Sequence, residues 1–126
     1  MMQTVRLFLL LEGLAFLTAA LTHFGVLFPG YAHRQASIAE SVIVCVLLIG
    51  AAISFARPSL TRRARLLAQG FALFGTLVGI LTIIVGIGPR TVPDIVYHIV
   101  IVIVLAIGIA VTVRGHQVIA SSQNLD

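Results

Sequence analysis

Four apolar runs, roughly 5–28, 38–56, 66–87 and 92–113, take up most of this 126-residue chain. A helix needs about 20 apolar residues to cross the hydrocarbon of a bilayer, and each run is close to that length. With 60% hydrophobic residues against 10% charged, the chain has too little polar surface to cover a water-soluble globule, so lipid takes the place of water. The breaks between runs carry Pro29-Gly30, Arg57-Pro58-Ser59 and Gly88-Pro89-Arg90. Such short connections make sequential helices antiparallel neighbours. The expected fold is therefore all-α: an integral membrane four-helix bundle of up-down topology. Residues 1–116 form its one domain, and 117–126 form a polar tail expected to fray in the cytoplasm. No internal repeat is visible.

The arginines set the orientation, because positive residues are retained on the cytoplasmic side during insertion. Under a four-span arrangement Arg6, Arg57, Arg62, Arg63, Arg65 and Arg114 share one side, and only Arg34 and Arg90 fall on the other. Both termini are expected inside, and the compact chain suggests a bacterial cytoplasmic (inner) membrane. A signal peptide cleaved after Thr18-Ala19-Ala20 is the competing reading of the first run. Its apolar core exceeds the usual ~7–15 residues and Arg6 makes a weak positive region, which disfavours it. The net charge of +4 does not point to nucleic acid, since the arginines punctuate the ends of apolar runs instead of forming a basic face. Cys45 is the single cysteine, which excludes an intrachain disulfide.

Ionisable side chains are expensive within a membrane, about 2.5–3.5 kcal/mol each at a helix centre, so they carry the functional information. Four share the outer layer of the bundle: His23 on helix 1, Glu40 at the start of helix 2, and Asp94 and His98 on helix 4. At about 1.5 Å rise per residue all lie within roughly 10 Å of the outer boundary. Asp94 and His98 project from the same face of helix 4, flanked by Tyr97. The stripe Glu12, Phe16, Ala19, His23 on helix 1 follows helical spacing, which turns Glu12 and His23 the same way.

Two histidines and two carboxylates at one depth suit a divalent transition metal (Zn, Fe, Mn, Ni or Cu), with His33, Tyr97 and the deeper Glu12 as additional candidates. A divalent metal is the expected ligand; the same geometry would also suit a proton-transferring site for a lipid or quinone head group. A b-type haem held by His23 and His98 is a third reading. None has a motif behind it: the chain has no His-Glu-x-x-His run, no paired Glu-x-x-His and no Cys-x-x-Cys-His. Catalysis would require an open coordination position and a substrate path.

Each acid also has a structural explanation. Ser37-Ile38-Ala39-Glu40 and Thr91-Val92-Pro93-Asp94 both have the spacing of a capping box, and a helix N-terminus stabilises negative charge. His23 alone reads most simply as an interfacial histidine bonded to a backbone carbonyl, and His116 as a solvated residue beyond the bundle. Capping accounts for the acids but not for two histidines at the same depth. Glu12 is most simply protonated and hydrogen-bonded, with Gln69 as its partner. A small proton-coupled transporter using Glu12 is the sharper alternative. The spacing Gly75-Thr76-Leu77-Val78-Gly79, with Gly70, Ala72 and Gly86 nearby, suggests close helix approach within the bundle or between protomers. A homo-oligomer, or a non-catalytic accessory subunit of a larger membrane complex docked through helix 3, follows from that pattern.

Overall fold

The computed structural model describes residues 2–123, and beyond Arg114 the backbone alone. The side chains beyond Arg114, that of His116 among them, and all of residues 124–126 lie outside the described residues, while the backbone of 117–123 is helical as the end of α4. The described residues form four long helices, α1 (Met2–His23), α2 (Arg34–Ala56), α3 (Thr61–Val85) and α4 (Val92–Gln123), with single 3-10 turns at Pro29–Tyr31 and Pro58–Leu60. All four helices are long and apolar enough to cross a membrane. Helices satisfy every backbone polar group within one segment, which is what hydrocarbon demands of a spanning chain.

The helix ends differ from the apolar runs wherever local hydrogen bonding outweighs hydropathy. The first run is apolar to Phe28, yet α1 stops at His23. Gly25 takes the left-handed conformation (φ 76°), and the Gly25 and Val26 amides donate to the Thr22 and Leu21 carbonyls. That pattern is a Schellman closure, and only glycine enters it without strain. Gly86 ends α3 the same way at φ 87°, and Arg90 donates to the Ile83 and Ile84 carbonyls of its last turn. At its other end α3 begins at Thr61, earlier than the run at 66, so Arg62, Arg63 and Arg65 are helical.

The two expected capping boxes part ways. At α4 the box forms: the Asp94 amide donates to Thr91 Oγ1, and the Thr91 amide returns a bond to Asp94 Oδ2 at 3.1 Å. At α2 it does not. His33 is the N-cap, accepting from the Ala36 amide through Nδ1, and Ser37, already inside the helix, donates to the Arg34 carbonyl. Glu40 is thereby released from capping and lies in the second turn.

The core packs Leu9 and Phe16 of α1 against Ile43 and Leu47 of α2, Ala72 of α3 and Leu105 of α4. Leucines on α1 such as Leu7, Leu11 and Leu14 stay exposed, as do Phe74 and Ile84 on α3 and Ile99 and Ile103 on α4. Outward apolar faces of this kind fit lipid contact. Between helices in lipid, small residues and polar bonds replace the hydrophobic effect as the cause of association. The α3 glycines act in that way inside the bundle: a Cβ on Gly75 would meet Ile43 of α2 at 2.9 Å, and one on Gly79 would meet His98 of α4 at 2.9 Å. The spacing that raised the prospect of contact between protomers thus receives side chains of the same chain. Helix α1 packs extensively on α2 and touches α4 far less.

Candidate functional site

Helix α1 ends where α2 and α4 begin, and this end of the bundle brings together three of the four expected site residues. His23 stands between two carboxylates from different helices: Nδ1 lies 2.8 Å from Glu40 Oε2 and Nε2 lies 3.0 Å from Asp94 Oδ1. The three residues are 3%, 6% and 6% exposed, so their bonds are made out of reach of competing solvent. The Schellman turn explains the placement. By ending α1 at His23 it lets the chain fold back, and the His33 amide then donates to the His23 carbonyl at 2.7 Å, holding the start of α2 beside the ring.

Asp94 divides its oxygens between two tasks. Oδ1 faces His23, while Oδ2 accepts from the Thr91 amide and hydroxyl. The capping and site readings of this residue are therefore both realised. Glu40 is used less fully: Oε2 faces His23, and Oε1 is buried without a partner. The hydroxyl of Tyr97 is likewise buried and unpartnered, its ring edge-on to Phe16.

His98 does not join the three. Its Nδ1 lies 2.7 Å from the Asp94 backbone carbonyl. A carbonyl can only accept, so Nδ1 carries a proton, and Nε2, which presents a lone pair in the neutral ring, faces Gly79 of α3. The four-donor metal set expected from the sequence is accordingly not assembled. Among the described residues no group of three or more His, Cys, Asp and Glu side chains is placed to hold a metal ion. Both nitrogens of His23 face carboxylate oxygens, which leaves neither lone pair directed at a common point. For the same reason neither nitrogen of His23 is turned toward a haem shared with His98.

Two hollows flank the triad, and Tyr97 borders both. A groove of about 400 Å³ opens between α1, the Pro29–Tyr31 turn and α4, and reaches His23 and Asp94 at its polar end. Ala15 and Ala19 form its flat wall, and Phe28, Tyr31 and Tyr97 its aromatic rim. The Thr18 and Thr22 hydroxyls also line it, but each spends its proton on a carbonyl one turn back in α1, so they offer the groove lone pairs only. A smaller cavity of about 140 Å³ lies between α2, α3 and α4, with Glu40, His98 and Tyr97 in its wall and His33 at its margin.

A second polar cluster lies toward the opposite end. Glu12 and Arg65 are both 0% exposed. Gln69 links them: its Nε2 donates to Glu12 Oε1 at 2.7 Å, and its Oε1 accepts from Arg65 Nε at 3.2 Å. Arg65 also donates to the Gly108 carbonyl at 2.9 Å and lies over the Phe8 ring. The charge count had placed Arg65 among the boundary arginines. The signal for its burial was its four-residue spacing from Gln69 on one helix face, with Glu12 available across the bundle. Arg6, by contrast, behaves as a boundary residue, donating to the Ser54 carbonyl where α2 ends and stacking on Phe55.

No family model, no curated protein and no solved structure matches this chain.

Proposed function

We propose that this protein binds a hydroxylated aromatic head group of a membrane-dissolved amphiphile, of the quinol class, in the groove between α1 and α4, and exchanges a proton with it through the Asp94–His23–Glu40 triad. The observation that carries this reading is the position of His23 between two buried carboxylates, with Asp94 bordering a groove that opens sideways. Each end of the ring can hold or release a proton while the other stays bonded, which is the arrangement of a proton shuttle.

The chemistry of the groove narrows the ligand. Its polar atoms at Thr18, Thr22 and Asp94 are acceptors and the Tyr31 and Tyr97 hydroxyls can also donate, which favours a head group that donates hydrogen bonds at its own hydroxyls. The Asp94 carboxylate in the groove wall repels an anion, which disfavours a phosphate. A flat ring fits between the alanine wall and the aromatic rim, and an apolar tail can extend into lipid past the sparse α1–α4 seam. Binding and proton exchange are the whole of the proposal; no electron transfer is included. The proposed bundle is antiparallel, with both termini in the cytoplasm of a bacterium and the triad near the outer face.

The test is equilibrium binding of a decyl-tailed benzoquinol to the protein in lipid nanodiscs, with elemental analysis of the same sample. Saturable one-to-one binding, weakened at least tenfold by Asp94→Asn and abolished by Ala19→Phe, supports the reading. No saturable binding overturns it. Stoichiometric metal lost in His23→Ala/His98→Ala would replace it with a divalent-metal centre, and metal-free protein that copurifies with larger partners would replace it with an accessory subunit.

A further inference from the structure

We infer that the triad carries a third, exchangeable proton on Glu40 Oε1, and that this proton leaves through the cavity between α2, α3 and α4 by way of His98. The inference deepens the reading above, which supplies the proton at the Asp94 side, but the proton's location stands on the protein alone.

Proton counting leads to it. The two bonds that His23 makes to Glu40 and Asp94 require two protons. Two carboxylates and one imidazole holding two protons carry a net charge of −1. Among the described residues no arginine bonds to any of the three, and an uncompensated charge is expensive in a buried site. One more proton makes the cluster neutral, and only one oxygen is free to take it. Asp94 Oδ2 already accepts from the Thr91 amide and hydroxyl at the N-terminus of α4, where negative charge is favoured. Glu40 Oε1 has no partner and no such support in the second turn of α2.

The cavity that Glu40 borders contains what is needed to receive the proton. His98 turns a lone pair inward, because its Nδ1 proton is committed to the Asp94 carbonyl. When the proton passes from Glu40 Oε1 to His98 Nε2 through cavity water, the O–H bond breaks, an N–H bond forms, and the resulting imidazolium keeps its bond to the carbonyl. The titratable groups around Glu40 are His23 from α1, His33 at the start of α2, and Tyr97 and His98 from α4; α3 contributes only the Thr82 hydroxyl to this cavity. Tyr97, bordering both hollows, separates the ligand groove from this exit.

Infrared spectroscopy of the ligand-free protein in nanodiscs tests this apart from quinol binding. The expected spectrum has a protonated carboxyl band that shifts in D2O, persists in Glu12→Gln and disappears in Glu40→Gln. In His98→Leu the band remains but its hydrogen–deuterium exchange slows at least tenfold. The absence of any carboxyl band lost in Glu40→Gln, or exchange unchanged in His98→Leu, overturns the inference. Helical circular dichroism qualifies each variant, and if Glu40→Gln does not fold the His98→Leu exchange rate decides alone. Loss of quinol binding with these infrared results intact would count against the ligand and not against the proton.

Discussion

Gly108 and Gln69 meet at a distance that only glycine permits: a Cβ at position 108 would lie 2.3 Å from Gln69 Nε2 and 2.8 Å from Glu12 Oε1. Helix α4 thus presses bare backbone onto the hydrogen bond that Glu12 Oε1 accepts from Gln69. Gly108→Ala should displace Gln69, leave a buried polar group unpaired and destabilise the protein by about 1–3 kcal/mol. Gly70→Ala is the control, since a Cβ there meets nothing within 4 Å. Reversible denaturation in mixed micelles measures both, and equal stability of the two variants would refute the contact.

Arg65 should matter far more than the arginines beside it. Arg65→Met removes the donors to Gln69 and Gly108 and leaves Glu12 without its nearest cation, for an expected loss of about 2 kcal/mol or more. Arg62 and Arg63 are exposed, and their alanine variants should stay within about 0.5 kcal/mol of the parent. Arg65→Lys should not restore stability, because a point charge cannot reproduce the two-donor fork. Adding Glu12→Gln to Arg65→Met should recover part of the loss, as paired groups are non-additive. Full additivity would separate the two residues.

The orientation is checked with reporter fusions. Fusions after Arg34 and Arg90 should read as outside, and those after Arg62 and Arg114 as inside. One inverted reporter would disperse the triad, whereas inversion of all four would move it to the opposite leaflet and reverse the direction of proton exit.

Hydropathy made the four helices legible because a bilayer imposes one length and one composition on every span. It misplaced their ends because Gly25 and His33 act through local hydrogen bonds that an apolar count does not register, and because α3 carries its arginines from Thr61 onward inside the helix. Asp94 was readable as a cap because its partner Thr91 lies three residues away. Glu40, with the same local spacing, was not: its partner is His23, 17 positions away in sequence.

The sequence by itself determined that this chain is a bundle of helices long and apolar enough to cross a membrane, and it named the few polar residues worth following. Tertiary structure decided which of them meet. Helix rotation turned His23 toward both acids and His98 toward α3, and it drew Arg65 from an apparent boundary position into the bundle. Spacing fixes the face of one helix on which a side chain lies, but the facing residue is set by how neighbouring helices rotate and close on one another. That closure depends on where a glycine lets two backbones approach.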